Sequence, residues 1–331
     1  MRSFVFCALL GLVFLIPMFA LPHASAHEVY VLSPEMVAHN ISTPSPNPFD
    51  AFYTNMFQFF FWGFMAFVLV TTVFFMSLTH RLEVFFEPYL VRLRLLAPLA
   101  VCITLGLSFI ASAYHFSLFG PELSLGTFGA LAPAVQLALY TAGVLLVFGY
   151  FVRAMALVAL AVFAAATALH GLYMLNYLGY LGAIAAMVLV SNAGAQAKRF
   201  LPHAFLILRI TFGISIIFAA LYAKFIYSNL ALSTVVEYNL VQFFPFEPLF
   251  IVLGAGIIEL LIGTFFIIGF EIRHTALFFL FWIFLSLLYF GESVWPHLVL
   301  IGITLALFMY GYDKWTLEGR LFNRGKLQPF L

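Results

Sequence analysis

A succession of long apolar runs sets the terms for this chain. After residue 52 they fall at about 53–78, 95–118, 132–151, 154–173, 177–195, 204–227, 249–269, 275–290 and 296–312. Most reach the ~17–25 residues that a helix needs to cross ~30 Å of hydrocarbon. They are continuous and lack two-residue alternation, so the spacing predicts helices rather than strands. Residues of the AVILMFWYC set make up 65 % of the 331, and Asp, Glu, Lys and Arg only 8 %. A soluble domain carries about 25 % charged residues. So few charges cannot cover a water-facing surface, which excludes a soluble globular enzyme, and a disordered chain would need the opposite balance. A net charge of +1 supplies no basic field for nucleic acid. The expected fold is all-α: a polytopic membrane helical bundle of about nine transmembrane helices.

The start of the chain has the layout of a secretory signal peptide. Arg2 is followed by the apolar stretch Phe4–Ala20 and then by Ala24-Ser25-Ala26, which predicts cleavage after Ala26 and a mature amino terminus at His27. The alternative is an uncleaved first helix. Cys7 would leave with the signal, and Cys102 alone remains, so neither an internal disulfide nor a CxxC pair is expected.

Positive charge orients the spans. With the mature amino terminus outside, Arg81, Arg92, Arg94, Arg153, Lys198, Arg199 and Arg273 fall in cytoplasmic connections, and Lys314, Arg320, Arg324 and Lys326 in a cytoplasmic tail. Glu28, Glu35, Asp50, Glu122, Glu237, Glu247 and Glu292 collect on the opposite face. That pattern fits a multi-pass protein of a bacterial-type cytoplasmic (inner) membrane, with the carboxyl terminus inside.

An internal repeat is also legible. Ile103-Thr104-Leu105-Gly106-Leu107-Ser108-Phe109-Ile110 matches Ile210-Thr211-Phe212-Gly213-Ile214-Ser215-Ile216-Ile217 at an offset of 107. Gly149, Arg153, Ala156, Leu157, Gly171, Leu178 and Gly182 match Gly269, Arg273, Ala276, Leu277, Gly291, Leu298 and Gly302 at an offset of 120. The expected layout is a signal peptide 1–26, an extracytoplasmic arm 27–52, a leading helix 53–78, a first four-helix unit 79–199, a second 200–312 and a cytoplasmic tail 313–331. Four spans per unit make the two units parallel repeats.

Ionisable side chains inside a span are costly and point to function. The second unit holds Arg209, Lys224 and Glu259, and their spacing allows an Arg209–Glu259 pair. The bland alternative is a strut at Glu259, with Arg209 and Lys224 snorkelling to opposite surfaces. Leu139 stands where the first unit would need a counterpart of Glu259. Near the outer end, Glu292, Trp295 and His297 crowd together beside Pro296. Histidine suits metals and haem, so His27, His115 and His297 are weak metal candidates. No H-x-x-x-H or H-E-x-x-H spacing occurs, and most single histidines at an interface serve ordinary hydrogen bonds. The aromatic runs Phe57–Trp62 and Phe278–Trp282 are packing and lipid-facing residues first.

Leu208-Arg209-Ile210, Gly213, Lys224, Glu259-Leu260-Leu261-Ile262-Gly263, Gly269 and Arg273 resemble the DoxX family of small four-helix membrane proteins. The first unit resembles it through Gly106-Leu107-Ser108, Phe119-Gly120-Pro121-Glu122-Leu123 and Arg153, but lacks the lysine and the mid-span glutamate. The resemblance covers about 95–312. It implies an all-helical bundle, and for some relatives a subunit of a thiosulfate:quinone oxidoreductase or a place in redox-stress complexes. It maps Arg209, Lys224 and Glu259 onto recurrent polar positions without attaching a reaction to them. The first functional expectation is therefore an accessory or partner subunit in quinone-linked redox chemistry, surrounded by membrane lipid and joined to a redox enzyme subunit. A small-solute or metal-cation transporter and a non-catalytic scaffold or assembly factor are the alternatives.

Overall fold

The computed structural model describes residues 32–191, 195–243 and 246–321, whose regular structure is helical apart from a Ser117–Ser124 bridge. The expected signal segment and His27 lie outside the described residues. The order is α1 (Pro34–Ser42), α2 (Phe49–Asn55), α3 (Phe59–Leu93), α4 (Ala97–Tyr114), α5 (Ala132–Val147), α6 (Val152–His170), α7 (Leu178–Val190), α8 (Ala195–Ala220), α9 (Ser228–Glu237), α10 (Pro248–Ile268), α11 (Ile272–Phe290), α12 (Leu298–Tyr310) and α13 (Leu317–Leu321). Several helices begin where a proline is tolerated, in the first turn: Pro98 in α4, Pro133 in α5, Pro248 in α10. α10 and α11 stop at Gly269 (φ +71°) and Gly291 (φ +65°), left-handed positions that favour glycine.

Six helical segments among the described residues are long and apolar enough to cross a membrane: Phe59–Tyr114, Leu125–Val147, Val152–Val190, Arg199–Ile226, Pro248–Ile268 and Ile272–Phe290. Trp295–Tyr310 is a shorter apolar helix. Two of the six hold more than one helix, since 3-10 turns at Arg94–Leu96 and Gly171–Tyr177 interrupt them.

The polar arm holds α1 and the start of α2, which ends at Asn55, so the leading helix begins at Phe59, later than expected, and runs past the apolar run that announces it. α3 spans 35 residues, about 52 Å at ~1.5 Å per residue. It passes through Arg81, expected in a cytoplasmic connection, and through Glu83. Buried Glu83 forms an ion pair with buried Arg273 at the start of α11, and Thr79 hydrogen-bonds His274 at 3.1 Å. Those partners lie about 190 residues away and hold the helix together beyond its apolar stretch.

The bundle has two distinguishable ends. At the arm end, Ala51 of α2 and Phe61 of α3 pack with Leu249, Phe250 and Leu253 at the start of α10. At the tail end, the segment after α12 folds back over the end of α10, and the Glu318 amide donates to the Gly269 carbonyl.

Helices in lipid gain little from hydrophobic exclusion and associate through close packing at small residues. A Cβ on Gly106 of α4 would stand 2.7 Å from the Gly143 carbonyl oxygen of α5, and one on Gly143 2.7 Å from that of Gly106. Val147 and Ile110 complete the contact. α8 and α10 meet in the same way, with Gly213 against Gly263 and Ile267, and Gly263 against Ile217. The α4 members lie 107 residues before the α8 members, and the α5 members 120 before the α10 members. Thr211 of α8 likewise fills the space over Gly182 of α7, and Thr104 of α4 fills that over Gly302 of α12. The same two offsets relate these pairs. α7 thus packs on α8 and α12 on α4, which closes α4 to α8 and α10 to α12 into a ring. α3 lies outside it with Phe59, Phe67, Leu69, Val70 and Phe74 exposed.

Candidate functional site

Glu259 sits half-way along α10, and Lys224 in the π-helical turn Leu221–Ile226 that ends α8. In a π turn the bond from the Tyr227 amide reaches back five residues, to the Tyr222 carbonyl. Such turns widen a helix and recur at functional sites. The Lys224 Nζ lies 2.9 Å from Glu259 Oε2, with the side chains 4 % and 9 % exposed. Gly256, one turn before Glu259, makes room for this: a Cβ there would stand 2.7 Å from the Phe225 ring and 3.4 Å from Lys224 Cβ. Phe225 in turn meets Phe49 of the arm at a ring-centroid distance of 5.8 Å. The Ser228 hydroxyl donates to the Pro46 carbonyl at 2.5 Å, and Asn40 of α1 donates to Ser233 of α9 at 2.9 Å. The arm therefore covers the ion pair from its own end of the bundle.

Arg209 does not join them. The expected Arg209–Glu259 pair is replaced by the lysine pair, and Arg209 donates instead to the carbonyls of Phe266 (2.5 Å), Ile267 (2.6 Å) and Trp315 (3.2 Å). The reason is local. The last carbonyls of a helix have no partner within it, and the guanidinium lies level with the end of α10. Arg209 is a cap and a tie to the tail, about 22 Å from Lys224 along the helix at ~1.5 Å per residue.

Glu292, Trp295 and His297 do come together, on the connection from α11 to α12. His297 Nε2 lies 3.2 Å from Glu292 Oε2, and the Ser286 hydroxyl donates to Glu292 Oε1 at 3.1 Å. The His115 ring, at the end of α4, stacks on Trp295 at 4.9 Å. Burial, with the Glu292 and Glu237 carboxylates nearby, raises the Tyr238 hydroxyl above the usual tyrosine range. Of the proposed metal ligands, His27 lies outside the described residues, while His115 and His297 belong to this stack and ion pair. Among the described residues no group of three or more His, Cys, Asp or Glu side chains is placed to hold a metal ion.

Sequence reasoning missed two arrangements. Glu83 pairs with Arg273, while Arg273 also donates to the Phe308 carbonyl at 3.1 Å and lies 5.3 Å from the Tyr312 ring. Glu122, noted as part of an acidic face and of the Phe119–Leu123 stretch, accepts from Tyr173 at 3.1 Å and from Tyr177. Neither spacing is a sequence signal, because the partners sit on different helices.

Comparison with known proteins supplies no relative: no family model matches the chain, and neither a curated protein nor a solved structure does.

Proposed function

We propose that this chain is a DoxX-like, nine-crossing membrane protein built from two duplicated four-helix units. In this reading it serves quinone-linked redox chemistry in a bacterial-type inner membrane as the partner of a redox enzyme subunit. The arm end faces outward and the tail end faces the cytoplasm. Nine crossings follow if each of α3 to α8 and α10 to α12 crosses once. The duplication is supported by the glycine and threonine contacts that recur at offsets of 107 and 120.

The observation that carries the functional reading is the Lys224–Glu259 pair at 2.9 Å, half-way along a span. Two charges taken out of water cost several kcal/mol each, about as much as their attraction returns. A pair of well-packed apolar side chains would serve stability as well, so the retained charges point to use. An ammonium beside a carboxylate is the donor–acceptor combination that a quinone headgroup requires. Lys224 would donate to a carbonyl oxygen and Glu259 would accept or return a proton. A bound quinone would supply two-electron chemistry coupled to that proton. Glu292 and His297 would pass protons at the arm-end mouth. The transport reading draws on the duplicated bundles, an acidic outer face and the outer histidines, and among the described residues those histidines do not gather into a three-ligand group.

The test is quinone-dependent turnover in native membranes at matched protein level. Glu259→Gln and Lys224→Met are each expected to lower it about 10²-fold, the usual worth of a positioned acid or base. Unchanged turnover in both would overturn the reading. Lipid extracts of the purified protein should also carry quinone, and less of it in Lys224→Met.

A further inference from the structure

A second polar cluster lies between the units at the arm end, away from Lys224 and Glu259. Tyr173 and Tyr177 sit on the 3-10 turn between α6 and α7, and both hydroxyls donate to one atom, Oε1 of Glu122. The ring centroids run Tyr227–Tyr222 4.9 Å, Tyr222–Tyr173 5.5 Å, Tyr173–Tyr177 6.4 Å and Tyr177–Tyr180 6.0 Å. Tyr222 and Tyr227, from the second unit, are part-exposed, whereas Tyr177 and Tyr180 are 6 % and 3 % exposed. Five tyrosines thus lead from the arm-end surface into the bundle.

Interfacial tyrosines are ordinarily anchors whose hydroxyls face the headgroups. Two of these instead direct their protons to a carboxylate. A tyrosine that gives up an electron becomes a strong acid and must lose its proton at once, so oxidation is easy only where a base accepts that proton. Glu122 is such a base for Tyr173 and Tyr177. Tyr180 is the built-in contrast: its hydroxyl donates to the Phe119 carbonyl at 2.9 Å and lies 2.6 Å from Ser108 Oγ. A carbonyl cannot take the proton.

We propose that Glu122, Tyr173 and Tyr177 form a one-electron relay that discharges a high-potential oxidant, a peroxide-derived radical, reaching part-exposed Tyr173 from the arm-end surface. The oxidant gains one electron and the tyrosine O–H bond breaks. The proton passes to Glu122 Oε1, leaving a neutral tyrosyl radical and a glutamic acid. The hole moves from Tyr173 to Tyr177 without net change at Glu122. As Tyr177 delivers its proton, Glu122 returns the first one to Tyr173. This relay does not depend on the Lys224–Glu259 reading.

The experiment uses the full chain in lipid nanodiscs with photogenerated tris(bipyridyl)ruthenium(III) as oxidant and freeze-quenched electron paramagnetic resonance as readout. Exposed tyrosines such as Tyr53, Tyr89 and Tyr150 give a background common to every variant, which is subtracted. The expected result is a fast tyrosyl signal whose formation slows about 10²-fold in Glu122→Gln, the loss of a positioned base. Tyr177→Phe should move the spin to Tyr173 and change its hyperfine pattern, while Tyr180→Phe should leave rate and pattern alone. Three results would overturn the relay: no signal above background, a Glu122→Gln rate equal to that of the unmodified chain, or identical behaviour of Tyr177→Phe and Tyr180→Phe. The comparison of the two phenylalanine variants decides the matter even if Glu122→Gln fails to fold.

Discussion

Lys224 and Glu259 were each legible in the sequence as expensive residues, but their pairing was not. Depth along a helix can be counted from residue numbers, whereas the competing demand of the α10 carbonyls on Arg209 cannot. The structure makes the cost of breaking the pair specific. Lys224→Met alone leaves a buried carboxylate uncompensated and should lower stability by about 3–5 kcal/mol. Lys224→Met with Glu259→Leu should restore most of it, because a matched apolar pair is often neutral or stabilising. Unfolding in detergent, followed by tryptophan fluorescence, measures both. A double variant that is stable yet inactive would separate a working pair from a strut. Arg209→Met should cost about 1.5–3 kcal/mol through its lost charge-assisted hydrogen bonds, and it should loosen the tail without touching Glu259. Limited proteolysis after Trp315 reads that out.

At the scale of elements, the small-residue contacts make a paired prediction. Gly143→Ala in α5 and Gly263→Ala in α10 each place a Cβ within 2.8 Å of atoms on the facing helix. Both should destabilise by the ~1–3 kcal/mol typical of overpacking, and by similar amounts, because the two contacts have the same form. The melting temperatures of the two variants make the comparison. α1 supplies a pH prediction. Glu35 in its first turn is fully exposed, and its own backbone amide and the Ser33 hydroxyl hold its carboxyl below the ordinary 4.5. A lowered folded-state value means that the stabilisation is present above 4.5 and is lost as pH falls through the lowered value. Hydrogen exchange across α1, corrected for intrinsic rate, should therefore rise at acid pH, and less so in Glu35→Gln. The all-helical character was readable because unbroken apolar runs leave helix as the fold that satisfies its own backbone in lipid. α9 and the π turn were not, since short amphipathic stretches carry weak periodicity and a π turn depends on its neighbours.

For the whole molecule, the ring of α4 to α8 and α10 to α12 means that the two halves of the chain complete each other. Fragments 1–191 and 192–331 expressed together should co-purify, because α7 packs on α8 and α12 on α4; separate elution would show that the covalent link holds them. What the sequence alone determined is the solvent and the element type. Too few charged side chains and too many long apolar runs leave a membrane helical bundle, since composition fixes transfer free energy whatever the chain's path. What only the tertiary structure decided is who meets whom. Lysine rather than arginine reaches Glu259, two tyrosines share Glu122, and Glu83 finds Arg273 from 190 residues away. Those pairings depend on the rotation and depth of packed helices, quantities set by the fit of glycines and threonines across interfaces and carried by no local spacing.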